Sequence, residues 1–530
     1  DIAATVRCTA LYENMNNMRV STNGGLVTEN WFDLNASRYT PSSTLQRMEL
    51  LKTGYMGTLS LGWDNYLFLE LTGRQERSST LKDQSFFYPS ANLSFLFTQA
   101  FHMPSWWNYG KLRLSYGIVG NAPETYTANI VYEQGSDNGF TWNTIPSSWG
   151  NADIRPEKKY EYEIGLESKF LNNRLGIDIS YYNNRVKDQI LSTPQPSTSG
   201  VKNVLMNVGE VANHGWDISI SATPILTRDF RWDLTANYGV YKNKVVKLAD
   251  GVPYLEILNS GGSGIKIQAV EGQPMGDIYA QVPQVNENGE YLVSDKGLYL
   301  NQTELQKVGN INPAGVGGLF NSFSYKNVFL DFSIDFRIGG DVINEMNQYA
   351  TAVGLTPESL KYRDTEHGGL SYYYPGDNNS SGIPVQVDPS TGAGPNGEII
   401  YHDGIILPGV VASTGERNTR IIPAGYYYNT TYNWGTEAEQ LTYRHSVFDN
   451  SYVKLRELTI GYQFPEKMIS KLGLGRLSVS VFGRNLFYFY KALKNYDAES
   501  SVGTSWANQA TVGSSTTATR SFGVSLRASF

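Results

Sequence analysis

One cysteine, Cys8, stands in 530 residues, so no internal disulfide can staple the chain, and disulfide logic neither supports nor refutes export. No stretch approaches the roughly 18 uninterrupted apolar residues of a spanning helix, which excludes a helical membrane protein. Basic runs are missing too. With 43 Lys and Arg against 50 Asp and Glu, the net charge is −7 and nothing can track phosphates, so nucleic acid is excluded as a partner. The five histidines, His102, His214, His367, His402 and His445, are scattered without ligand spacing, and no metal site is expected. His-Glu-x-x-His, Gly-x-Ser-x-Gly and Walker patterns are absent, so neither an enzyme nor a cofactor is expected. Mean hydropathy is −0.35, a value that looks soluble yet leaves a membrane β-barrel open, because barrel strands put only alternate residues in lipid.

What is abundant is aromatic and small: 36 Tyr, 22 Phe, 10 Trp and 52 Gly. The dominant pattern is period two. Between residues 328 and 338, Val328, Leu330, Phe332, Ile334, Phe336 and Ile338 alternate with Phe329, Asp331, Ser333, Asp335 and Arg337. Leu175, Ile177, Ile179 and Tyr181 repeat the rhythm, as do Tyr160, Tyr162, Ile164 and Leu166 against Glu161, Glu163 and Glu167. Three glutamates on one face cannot line a dry core. The rhythm recurs at 112–118, 216–222, 232–240, 477–481 and 522–530, giving about 15 strands. One strand breaks phase, since Val453 and Leu455 share a parity that Leu458, Ile460, Tyr462 and Phe464 reverse; a β-bulge near Arg456-Glu457 is expected. The stretch 464–474 reads as a turn carrying a short helix.

Connections alternate in length. Short links fall at 170–174, 224–229 and 325–327, and long segments rich in Gly, Asn, Ser, Thr and Tyr fall between them at 120–156, 188–207, 248–314, 340–449 and 491–518. That is the layout of an outer-membrane barrel, with short periplasmic turns and long extracellular loops. The C-terminal aromatic Phe530, with Ala528, Leu526, Val524 and Phe522 at alternate positions, fits a final strand ending at the periplasm. Trp216, Trp232, Tyr462, Phe464, Phe487 and Phe489 sit toward strand ends, as interfacial girdles require. The competing architecture is a large secreted β-sandwich or propeller, but no repeat of roughly 40 to 50 residues supports blades.

The run Asn450-Ser451-Tyr452-Val453-Lys454-Leu455-Arg456-Glu457-Leu458-Thr459-Ile460-Gly461-Tyr462-Gln463-Phe464-Pro465, then Gly483-Arg484-Asn485-Leu486-Phe487 and Asn495-Tyr496-Asp497-Ala498-Glu499, resembles the C-terminal signature of SusC/RagA-type TonB-dependent transporters. Leu71-Thr72-Gly73-Arg74 with Phe87-Tyr88-Pro89-Ser90, Ile154-Arg155-Pro156-Glu157-Lys158, Asn207-Val208-Gly209-Glu210 and Gly317-Gly318-Leu319-Phe320-Asn321 resemble its middle-barrel blocks. The resemblance implies an all-β, antiparallel transmembrane barrel of the Gram-negative outer membrane. Residues 1–530 would be its C-terminal part, about 15 strands of a barrel of about 22. The plug, the TonB-contacting region and the first strands would lie outside this chain. The implied activity is energy-coupled import of a bulky nutrient, a glycan sooner than a peptide, beneath a SusD-like surface lipoprotein. A dimer of transporter and lid pairs is implied as well. A siderophore or cobalamin receptor, or a secreted carbohydrate-binding or adhesin β-protein, is the alternative.

Recognition is expected on the long loops. Candidates are Trp142 with Trp149, the run Tyr372, Tyr373 and Tyr374, and Tyr426, Tyr427 and Tyr428 with Trp434, whose flat rings can stack on sugar faces. Asp377, Asn378 and Asn379 could bond hydroxyls. Each cluster competes with a plainer reading in which the tyrosines pack on one another or on a partner. For Trp106-Trp107, on an expected periplasmic turn, the girdle is the better reading.

Overall fold

The computed structural model describes residues 1–82, 85–137, 140–260, 264–376, 382–433, 442–501, 503, 505–513 and 517–529. The chain forms two units. The first comprises Asp1–Trp216 and Lys242–Pro253, the second Asp217–Tyr241 and Tyr254–Phe530.

Seven long strands follow one another in the first unit: β1 (Ile2–Leu26), β2 (Ser37–Trp63), β3 (Leu67–Ser78), β4 (Ser85–Phe95), β5 (Trp107–Asn121), β6 (Glu157–Phe170) and β7 (Leu175–Lys187). Each is hydrogen-bonded antiparallel to its predecessor. The faces of β6 are inverted relative to a soluble sheet. Tyr162, Ile164 and Leu166 are exposed, whereas Glu161, Glu163 and Glu167 are half-buried and Gly165 is buried. Charge is satisfied on that inner face: Arg113 reaches Asp178 at 2.6 Å and Glu167 at 3.6 Å, and Arg74 reaches Glu76 at 2.7 Å, where Tyr88 also donates. Half-exposed pairs like these contribute only about 0–1 kcal/mol each. The backbone ladder holds the wall, because lipid offers no other partner for N–H and C=O groups.

The second unit continues with most of β8 (Glu210–Leu226) and β9 (Phe230–Lys247), then β10 (Gly315–Tyr325), β11 (Val328–Ile338), β12 (Tyr452–Gln463), β13 (Arg476–Lys491) and β14 (Ser521–Ser529). From β9 onward every neighbour is antiparallel. The expected bulge is present: Ser333 pairs with Glu457 and Ile334 with Leu455, leaving Arg456 unpaired, and the register with β13 shifts at the same place. The helix expected in the 464–474 turn is Glu466–Ile469, followed by a 3-10 turn, Ser470–Leu472.

Where the strand count met expectation, with fourteen long strands among the described residues against about 15, the long segments did not behave as plain loops. Four strands, Tyr254–Ser260, Ile265–Val270, Asp277–Ala280 and Gln306–Asn310, form a sheet of their own. Its Ile265, Ile267, Ile278 and Ala280 are fully buried against Ile311, Ile343 and Val447. A second sheet joins Val385–Gln386, Leu370–Tyr373, Tyr401–Ile405 and Ile422–Pro423. Helices Glu345–Ala352 and Ala424–Tyr432 lie in the same stretch, the former capped by Asn344, whose Oδ1 accepts from Asn347 N at 2.9 Å. The dry cores of this unit therefore lie in the outer segments, while the long strands turn their apolar side chains outward. Trp216, expected near a strand end, lies well inside β8. Phe530 falls outside the described residues. No helix among the described residues is long and apolar enough to cross a membrane.

Candidate ligand-binding site

The long connection between β11 and β12, with Tyr299 from the connection between β9 and β10, brings tyrosines together. Helix Ala424–Tyr432 supplies Tyr427, Tyr428 and Tyr432, the strand pair around Gly404 supplies the floor, and Tyr299 and Tyr362 close the sides of a cavity of about 530 Å³. Glu358 and Lys361 also line it. Tyr428 is fixed by donating its hydroxyl to the Glu358 carbonyl at 2.8 Å, with the Arg363 guanidinium 5.3 Å from its ring. Tyr427 meets Tyr428 and Tyr432 edge-on at 5.1 and 6.1 Å. Behind them, Tyr432 stacks on His445 at 4.3 Å.

Burial decides the charge of this surface. It pushes the Tyr299 and Tyr428 hydroxyls up to about 12, and Tyr427 and Tyr432 upward as well. Burial, helped by neighbouring Arg444, lowers His445 to about 4. The rings therefore stay neutral from about pH 5 to 8, offering flat apolar faces edged by hydroxyl donors. Such a surface stacks on a sugar or a peptide plane and orients it with few polar bonds.

The sequence candidates separate. Tyr427 and Tyr428 line the cavity, and Tyr426 packs beside them on Leu298, Ile405, Leu407 and Ile422. Tyr372, Tyr373 and Tyr374 are buried: Tyr372 and Tyr374 pack with Ile421 and Tyr401, and the Tyr372 hydroxyl donates to Asp403 at 3.1 Å. They form the support behind the floor. Gly404 is where that support meets the cavity, since an added Cβ would sit 2.8 Å from the Leu370 carbonyl and 2.9 Å from the Tyr372 ring. Gly404→Ala should therefore cost about 1–3 kcal/mol, read as a lowered Tm of the detergent-solubilised protein; an unchanged Tm would remove Gly404 from this role. Trp142 is exposed over Gly135 in a two-stranded ribbon, and Trp149 packs edge-on against Tyr132 at 5.9 Å. Both belong to the first unit and take no part in the cavity. Asp377, Asn378, Asn379 and Trp434 lie outside the described residues. Tyr299, Tyr362, Tyr432 and Glu358 escaped sequence reading. Only Tyr432 carried a signal, four residues beyond Tyr428 on one helix face. Trp106, Trp107 and Phe170 stack at 5.4–5.9 Å at the turn end of β5 and β6, as a girdle would.

Exposed greasy strand faces, a half-buried charged inner face and folded outer segments are the features of an outer-membrane β-barrel wall. Residues 11–274 match the family model described as TonB dependent receptor-like, beta-barrel. The chain thus carries a TonB-dependent receptor β-barrel domain, and it is similar to SusC. TonB-dependent receptor P3 of Formosa agariphila is 24% identical over 494 residues, 85% of this chain and 42% of that protein. TonB-dependent receptor SusC of Bacteroides thetaiotaomicron is 30% identical over 247 residues, 43% of this chain and 24% of that protein. Among solved structures, the RagAB peptide transporter superposes with a TM-score of 0.64 at 17% identity, over 92% of this chain and 50% of that one. The chain thus spans half or less of the length of these relatives. The family is one of transporters, not enzymes.

Proposed function

We propose that this chain serves TonB-dependent import of a bulky nutrient across the outer membrane, a glycan in preference to a peptide, beneath a SusD-like lipoprotein lid. In this reading, residues 1–530 are the C-terminal part of a barrel of about 22 strands, and TonB is engaged by a region outside them. The observation that carries the cargo assignment is the tyrosine-walled cavity formed by the β9–β10 and β11–β12 connections. Rings held neutral and preorganised by their neighbours suit sugar faces, and the hydroxyl edges suit sugar oxygens. Tyr427 is the contact residue, and the buried Tyr428 backs it; Tyr372, Tyr373 and Tyr374 hold the floor. A peptide remains the second reading, because the RagAB structure of similar fold is that of a peptide transporter.

The test is calorimetric titration of the detergent-extracted complex with a panel of neutral oligosaccharides and a panel of peptides. A saccharide should bind, and Tyr427→Ala should weaken it about tenfold or more, the loss of about 1–2 kcal/mol expected for one aromatic platform. Binding of peptides alone would reverse the cargo assignment. Mass spectrometry of the same complex should reveal a surface lipoprotein, and its absence would remove the lid.

A further inference from the structure

Between the cavity and the wall of the second unit runs an irregular segment, 493–499, with no strand or helix of its own. It is tied at both ends by side chains. Leu493 is buried with Val342 and Val512. Asn495 Nδ2 donates to Glu358 Oε2 and to Asn347 Oδ1, both at 3.1 Å, and Glu358 is a cavity wall residue. Further along, the Asp497 carboxylate accepts from the Tyr488 hydroxyl at 2.5 Å and from Ala518 N at 3.0 Å. Glu499 ends the segment on the polar face of the wall. It accepts from Lys454 Nζ at 2.5 Å and from Arg456 Nη1 at 2.9 Å. Arg456 is the bulged residue of β12, and it also holds Asp335 of β11 and Asn485 of β13.

We propose that 493–499 is a strap coupling the tyrosine cavity to the wall: a ligand hydroxyl that takes over Glu358 releases Asn495, and the Glu499 latch on Lys454 and Arg456 opens. The inference rests on reading the cavity as a ligand site. Two features make the latch a switch. One carboxylate serves two cations, and Lys454 is 2% exposed, so partial withdrawal strands a buried charge and the intermediate positions are disfavoured. The strap also has no backbone ladder to hold it once its side-chain bonds go, so it moves as a piece. Opening would bare Lys454 and Arg456 on the polar face and reset the charge of the wall below an occupied cavity.

The test is hydrogen exchange by mass spectrometry on the full receptor complex in detergent, with no ligand added. A failure here is therefore distinct from a failure of the binding assay. Asn495→Ala should speed exchange about tenfold in the peptide holding Ala518, whose N–H reports Asp497. Reciprocally, Glu499→Gln should speed exchange of Tyr362 and Gly369, whose amides donate to the His367 and Asp364 carbonyls beside the cavity. Glu499→Asp, which shortens the latch but keeps its charge, supplies the same arm should Glu499→Gln not assemble. If Tyr362 and Gly369 keep native rates in the latch variants, or Ala518 keeps its rate in Asn495→Ala, the strap holds only its own neighbours and the coupling is overturned.

Discussion

Leu114→Arg should destabilise the barrel by about 2–4 kcal/mol, while Ser115→Arg, one residue on, should change stability by less than about 1 kcal/mol. The two side chains leave opposite faces of β5. Leu114 is 38% exposed between Leu93 and Ile164, its cross-strand neighbours. In a bilayer that face meets acyl chains, and position 114 lies midway along Trp107–Asn121, at the depth where a cation costs most. Ser115 sits half-buried between Asn92 and Glu163 on the charged face, where an arginine gains a carboxylate. Reversible denaturant unfolding from lipid vesicles reads both variants. Equal costs would mean that the faces are wrongly assigned, and with them the membrane reading of every strand in phase with β5.

How much of this was legible in the sequence differs by layer. The strand faces were, because a membrane wall imposes one rule on every strand, and Tyr162, Ile164 and Leu166 against Glu161, Glu163 and Glu167 obey it without tertiary help. The bulge at Arg456 was legible for the same reason: one extra residue flips parity, and the flip is visible between Leu455 and Leu458. The outer segments were not, although period two is present there as well. Ile265, Ile267 and Ala269 alternate over a few residues only, and short runs between glycines and asparagines look like loops until a partner strand completes the sheet. The cavity was half legible. Tyr427 and Tyr428 announced themselves as a run, but Tyr299, Tyr362 and Glu358 reach it from separate segments, and no spacing rule connects them. Tyr372 and Tyr374 had the same composition signal and the opposite fate, because the strand Leu370–Tyr373 is covered on both edges.

Glu499→Ala should cost about 3–5 kcal/mol, the penalty for removing one partner of a buried ion pair. Lys454 keeps its ammonium 2% exposed, where water cannot replace the lost carboxylate, and Arg456 loses one of its two acidic partners. The double variant Lys454→Met with Glu499→Leu should recover most of that loss, because an apolar pair leaves no stranded charge. If the single and double variants were equally damaged, packing of the 493–499 segment and not charge would be the cause. Acid supplies a second reading. Burial pushes the Glu499 carboxyl up, but the bonds from Arg456 and Lys454 outweigh it and hold the group below its ordinary value. A carboxyl lowered in the folded state contributes its stability above the unfolded value, about 4.3, and loses it as pH falls through the lowered one. The Tm gap between the native protein and Glu499→Gln should therefore stay constant from about pH 8 to 5 and close only below about pH 4. A gap that closed instead between pH 5 and 8 would point to a group other than Glu499.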